Sequence, residues 1–147
     1  MDQAAKDRAA TLAHGDAEWE RLRAALDARM NEPLGPATDW TGHDVYAHFA
    51  RWQEQTIRDL RTVLAGHAPE PPKEDEDTLN RRWRATDRDL PDHVVVRRCL
   101  ESRARLREML MALDERQWAD FGHLFAPDIN GEHYEHHLAM CAKEALP

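Results

Sequence analysis

The chain is poor in cysteine, in β-branched aliphatic residues and in long apolar runs, and each shortage excludes something. Its two cysteines, Cys99 and Cys141, form no CxxC pair, so neither a disulfide framework nor a zinc ribbon is expected. Both read as small core residues. Val and Ile are few and, apart from Val94–Val96, scattered rather than clustered as strands require. No segment approaches the roughly 18 consecutive apolar residues of a membrane span, and residues 1–16 lack the apolar centre of a signal peptide. A cytoplasmic protein without a membrane partner is therefore expected. Basic residues are also in deficit, 20 against 28 acidic ones, and the net charge of −8 repels a phosphate backbone. No nucleic-acid partner is expected either.

What is abundant is Ala, Leu, Arg and Glu, all good helix formers. With 147 residues the chain can bury one core but not two, so residues 1–147 read as a single all-α domain, a helical bundle. Residues 1–14 show little periodicity. The first helix is expected to start at Asp16 as N-cap and to run through Trp19, Leu22, Leu26 and Met30. Residues 33–40, with Gly35 and Pro36, read as a loop. The start of the second helix is better marked: Thr41 is a natural N-cap, Asp44 supplies the acidic member of a capping box, and Trp40 and Val45 form a staple. From there Val45, His48, Phe49, Trp52, Leu60 and Val63 trace one face.

Residues 66–90 open with Pro69, Pro71, Pro72 and the acidic run 74–77, and read as a long connector whose later part, 78–88, holds a short helix with Leu79 and Trp83. Pro91 then opens a third long helix with Val95, Cys99, Leu106, Met109, Leu110 and Leu113 inward. Residues 118–125, with Trp118, Phe121 and Phe125, are expected to fold over one end of the bundle. A last helix, capped by Asp128 or Asn130, carries His133, His136, His137 and Cys141.

His133 and His137 are four residues apart, so their rings leave one helix face about 6 Å apart along the axis. With nine histidines in the chain, that spacing alone is a weak signal. His48 strengthens it, because an imidazole on an apolar stripe needs partners for its ring nitrogens. It lies at a depth in its helix comparable to that of His133, so all three rings meet if the two helices run parallel. Three imidazoles suit zinc, nickel or iron(II), and leave a coordination position open, as catalytic sites do. His136 occupies a neighbouring face and reads as a solvent or interface histidine. Asp44, Glu132 and Glu135 are the carboxylates nearest in sequence to orient the rings. Arg81, Arg82, Arg84 and Arg88, and Arg97, Arg98, Arg103, Arg105 and Arg107, read as partners of nearby acids rather than as a substrate rim.

The order Trp-Thr-x-x-Asp-Val-x-x-His-x-x-x-Trp over 40–52, the connector with Leu79-Asn80, and the helix with Glu132-His133-Tyr134-x-x-His137 resemble the DinB/YfiT-like superfamily. That group includes the metal-binding domain of mycothiol-dependent maleylpyruvate isomerases and the bacillithiol transferases. The resemblance implies a four-helix bundle with a long connector between its second and third helices, a homodimer, and metal ligands at His48, His133 and His137. In mycothiol-type members the first ligand of the last helix is glutamate, where this chain has His133, as three-histidine members do. The extent of the chain resembles that of the stand-alone members.

Two functions follow. The first is a divalent-metal-dependent enzyme, with zinc, nickel or iron(II), that lowers the pKa of a low-molecular-weight thiol and directs the thiolate at a small-molecule electrophile in S-transfer or isomerisation. A variant uses metal-bound hydroxide for hydrolysis. In this reading the electrophile enters near 118–125. The second is a non-catalytic bundle that binds a small ligand or dimerises, with a structural or residual metal site. Exposed aromatics such as Trp83 would find cover in a dimer.

Overall fold

A computed structural model describes residues 3–129 together with 131, 133, 134, 136 and 137. It is mostly helical, as expected, with one small hairpin in addition. Asn130, Glu132, Glu135 and Cys141, each given a part by the sequence, lie outside the described residues. No helix among the described residues is long and apolar enough to cross a membrane.

The first helix, α1, runs Gln3–Ala28 and so passes straight through Gly15 and Asp16, where the sequence placed its start. Tertiary contacts override the local break. Leu12, seven residues before Trp19 and on its stripe, is 1% exposed in the core. Arg8 reaches across to the end of another helix and donates to the carbonyls of Leu110, Met111 and Leu113 at 3.3, 3.2 and 2.7 Å. Those carbonyls are among the last of that helix and have no intrahelical partner, so a buried guanidinium replaces water there. Asp16 is not a cap. Its carboxylate takes Arg103 and Arg107, each at 2.8 Å, and these pairs hold it below the usual carboxylate range against the opposing pull of burial.

The expected loop at 33–40 is instead an antiparallel hairpin, β1 (Pro33–Gly35) with β2 (Thr38–Thr41), pairing Pro33 with Thr41 and Gly35 with Thr38. Pro36, in the turn, has its φ preset for that position. The hairpin buries Leu34 in the core.

Helix α2 (Gly42–Leu64) begins where the sequence placed it. The Thr41 side chain accepts from the Asp44 N–H, and the Asp44 carboxylate accepts from the Thr41 N–H, a complete capping box. Two further N–H groups of the first turn, on Gly42 and His43, donate to the carbonyls of Arg29 and Met30 at 2.9 and 3.0 Å. The end of α1 therefore satisfies the start of α2. The approach is so close that a β-carbon on Gly42 would stand 2.2 Å from the Leu26 carbonyl oxygen.

The connector holds α3 (Glu76–Asp87), with Asp75 as N-cap accepting from the Thr78 N–H. Its acidic run, read as connector only, is thus the cap and first turn of a helix, where carboxylates meet the positive end of the helix dipole. On α2, Arg51 grips Asp87 with two hydrogen bonds of 2.9 and 2.7 Å, and the Trp52 indole donates to Asn80 at 2.8 Å. Trp83 packs edge-on against Trp52 with the Arg51 guanidinium over its ring. The aromatic surface expected to need a second subunit is thus partly covered within the chain.

Helix α4 (Asp92–Ala112) packs chiefly on α2. Two apolar clusters result. One joins Trp19, Leu22, Leu26, Leu34, Val45, Tyr46, Phe49, Val95, Cys99 and Tyr134. The other joins Leu12, Ile57, Leu60, Leu106, Leu110, Leu113 and Ile129, with Trp118, Phe121 and Phe125 packed against it. Residues 118–125 thus close the end of the bundle, as expected, through a π-helical turn (Trp118–Gly122). Between the clusters along both helices, Ser102 of α4 donates to Gln53 of α2 at 2.7 Å, both side chains buried.

Candidate metal centre

His48 enters the site from α2, and its placement descends from the capping box seven residues earlier. His133 and His137 come from a helical turn beyond Gly131. Tyr134, between them, anchors that turn. Its ring is fully buried against Trp19 and Phe49, at 5.2 and 5.3 Å between centroids, and its hydroxyl accepts from Arg103 at 3.0 Å. Arg103 also binds Asp16, so α1 and α4 together hold the turn that carries the two histidines.

The structure brings together the three histidines that the sequence singled out. Each offers one ring nitrogen, and the three nitrogens lie within 4.8 Å of one another. The Nε2 atoms of His48 and His133 are 3.1 Å apart. Two nitrogens each bound about 2.0–2.1 Å from a tetrahedral zinc stand about 3.3 Å apart, so little movement separates this pair from a chelate. Phe49 forms the floor, its ring centroid 4.6 Å from that of His133, 5.0 Å from His137 and 5.6 Å from His48. Trp40 stands edge-to-face with His48 on the other side, at 5.5 Å.

Burial, and then the neighbouring imidazoles, hold His48 well below the ordinary histidine range and bring His137 down to about 3. At neutral pH both rings are therefore neutral, with a lone pair available, which is the state a metal requires. The Nδ1 of His137 is buried and has no hydrogen-bond partner among the described residues. A buried polar atom without a partner is costly. The donor set fits a borderline metal ion.

Other residues of interest divide differently from the sequence reading. His136 is exposed and lies outside the cluster, its ring in a T-shaped contact with that of His137. Asp44, which lines a crevice together with His48, is engaged by its helix cap and by an arginine. Its Oδ2 accepts from the Thr41 N–H and from Arg84 at 3.0 and 3.1 Å. Several of the arginines do pair with acids, but only Arg82 with Glu74 is local in sequence; Arg84 pairs with Asp39 and Asp44, and Arg98 with Glu54, across the fold. Arg84 also lies over the Trp40 ring. A crevice beside His48, lined by Trp40, Asn80, Trp83 and Arg84, has room for about one water molecule. Its lining includes residues of α3 and none of 118–125. Missed in the sequence was a carboxylate that, among the described residues, stands beside His133. Asp128, read only as a helix cap, places Oδ1 3.7 Å from the His133 Nδ1 and accepts a hydrogen bond from Thr56.

A family model described as the mycothiol maleylpyruvate isomerase N-terminal domain matches residues 12–128, most of the chain. The matched span includes His48 and ends before His133. No curated protein and no solved structure matches the chain.

Proposed function

Because the chain belongs to the mycothiol maleylpyruvate isomerase N-terminal domain family, within the DinB/YfiT-like superfamily, we propose that it is a metal-dependent enzyme of thiol chemistry. Its ligands are His48, His133 and His137. Its reaction is transfer of a low-molecular-weight thiol to a small electrophile, or a thiol-assisted isomerisation. The observation that carries this reading is the convergence of three imidazole nitrogens within 4.8 Å on an aromatic floor.

A divalent ion held by the three histidines, zinc or nickel, or else iron(II), would supply a Lewis acid that lowers the pKa of a bound thiol. The protein contributes the rest. Three neutral ligands leave the full positive charge of the ion to favour an anionic fourth ligand, and the rings of Phe49 and Trp40 keep water from two sides of the histidines. In transfer, the thiol gives its proton to solvent, its sulfur forms a bond to the electrophilic carbon, and the displaced electron pair leaves with the leaving group or, in a conjugated acceptor, is protonated from solvent. In isomerisation the same carbon–sulfur bond forms and later breaks, returning the thiol.

Metal analysis of untagged protein tests the site: about one equivalent of metal is expected, with large losses in His48→Ala and His137→Ala. Low stoichiometry, or stoichiometry unchanged by either substitution, would sink it. A screen of thiols against electrophiles then tests the chemistry, and a metal-dependent rate that ignores added thiol would point to hydrolysis instead. A homodimer in the cytoplasm is part of the same proposal, and light scattering giving the mass of one chain would remove the dimer.

A further inference from the structure

We propose that Asp128 is the positioning carboxylate of the metal centre, acting through the Nδ1 edge of His133, and that Thr56 holds it there. This rests on reading the three histidines as ligands. The Nε2 of His133 faces the Nε2 of His48 at 3.1 Å, so Nε2 is its ligand atom. A neutral imidazole that binds metal through Nε2 carries its proton on Nδ1, and that N–H needs an acceptor. Among the described residues, Asp128 is the acidic group beside that edge, with Oδ1 3.7 Å away. The separation is longer than a hydrogen bond but within ion-pair range. Metal on Nε2 makes the Nδ1–H a stronger donor, and the carboxylate stands ready to accept from it.

Asp128 is itself held. Its other oxygen, Oδ2, accepts from the hydroxyl of Thr56. Thr56 lies eight residues after His48 on α2, a little over two turns along the same helix. One helix therefore supplies a ligand directly and, through Thr56 and Asp128, fixes the ring of a second ligand that arrives from elsewhere in the chain. Asp128 lies in the turn leading to the His133 segment, with Ile129 beside it fixed in the apolar core. The carboxylate is thus set by packing as well as by its hydrogen bond.

Zinc affinity of the full chain, measured by competition with a chromophoric chelator, tests this directly. Asp128→Asn is expected to weaken zinc about 10- to 100-fold. Thr56→Val, which keeps the carboxylate but frees it, should weaken zinc less, and Asp128→Glu should restore part of the affinity. Melting of the metal-free proteins reports separately on folding. A purely structural role would not move the Nδ1–H proton resonance of zinc-bound His133, which is expected to shift in Asp128→Asn. Equal zinc affinities and an unmoved resonance would overturn the role of Asp128 alone. A wild-type chain that binds no zinc, nickel or iron would remove the metal reading itself, and this inference with it.

Discussion

Phe49 lies 4.6 Å, centroid to centroid, beneath His133, although 84 positions of chain separate the two residues. The same ring also contacts His48, His137, Tyr134 and Trp19. It is at once a core residue and the floor of the metal centre. Phe49→Ala should cost about 3–5 kcal/mol in chemical denaturation, as large-to-small substitutions of buried aromatic residues do. Phe49→Leu should keep most of the stability while weakening metal binding, because it fills the volume without presenting a flat face to three imidazoles. Equal metal affinity in Phe49→Leu and the wild type would show that the floor only fills space.

The depressed titration of His137 makes the metal-free protein sensitive to acid. In the unfolded chain the ring protonates near 6.5, whereas burial and the adjacent imidazoles hold it neutral in the fold down to about 3. Between those values the unfolded state binds the extra proton, so stability is intact above about pH 6.5 and falls as the pH is lowered. The slope approaches about 1.4 kcal/mol per pH unit for this one group. Denaturation of metal-free protein from pH 7 to 4.5 should show the decline, and His137→Asn should flatten it. Identical slopes in the two proteins would mean that the ring does not stay neutral in the fold.

The junction of α1 and α2 offers a test that involves no functional group. A β-carbon at Gly42 would meet the backbone carbonyl of Leu26, which cannot turn aside as a flexible side chain can. Gly42→Ala should therefore destabilise the fold by about 1–3 kcal/mol or more, the range for overpacking. It should also lower metal affinity, because the start of α2 sets the register of His48. Gly66, whose β-carbon would meet nothing within 4 Å, is no equivalent control because its φ is +86°. A neutral Gly42→Ala, judged by urea midpoint, would contradict the close approach.

How far these relationships were legible follows from the range over which each is decided. The start of α2 was readable because Thr41 and Asp44 satisfy each other three residues apart, and the register of His48 came with it. The stripe of Val45, Phe49 and Leu60 was equally local. The start of α1 was not, because its decisive contacts join Arg8 to carbonyls more than a hundred residues away, although Leu12 at seven residues from Trp19 already extended the stripe. The hairpin escaped because three- and four-residue strands leave no alternation to detect. Asp128 was read only as a helix cap, because a cap at the start of the last helix and a partner of a ring five positions on cannot be told apart by spacing alone. Its tie to Thr56 crosses 72 positions.

The pair that separates the two apolar clusters should behave differently from any core residue around it. Gln53 is 0% exposed, its Oε1 accepts from Ser102, and its Nε2 has no partner among the described residues. Ser102 also donates to the Cys99 carbonyl of its own helix, at 3.1 Å. Removing one partner leaves a buried polar group unsatisfied, at about 1–3 kcal/mol, whereas replacing both by apolar groups of similar size can be nearly neutral. Ser102→Ala alone should therefore be destabilising, because it strips Gln53 of the hydrogen bond from Ser102. Gln53→Leu should cost less than its burial suggests, since it also removes an amide N–H2 that is already unpaired, and Ser102 retains the Cys99 carbonyl. The double variant should then be at least as stable as Ser102→Ala, and the coupling energy from a double-mutant cycle by urea denaturation should be clearly non-additive. Additive losses would show that the Gln53 amide is satisfied in solution. Should the double variant exceed the wild type in stability, the pair is maintained at a stability cost, and its contribution would be to hold α2 and α4 in one register, on which the placement of His48 depends.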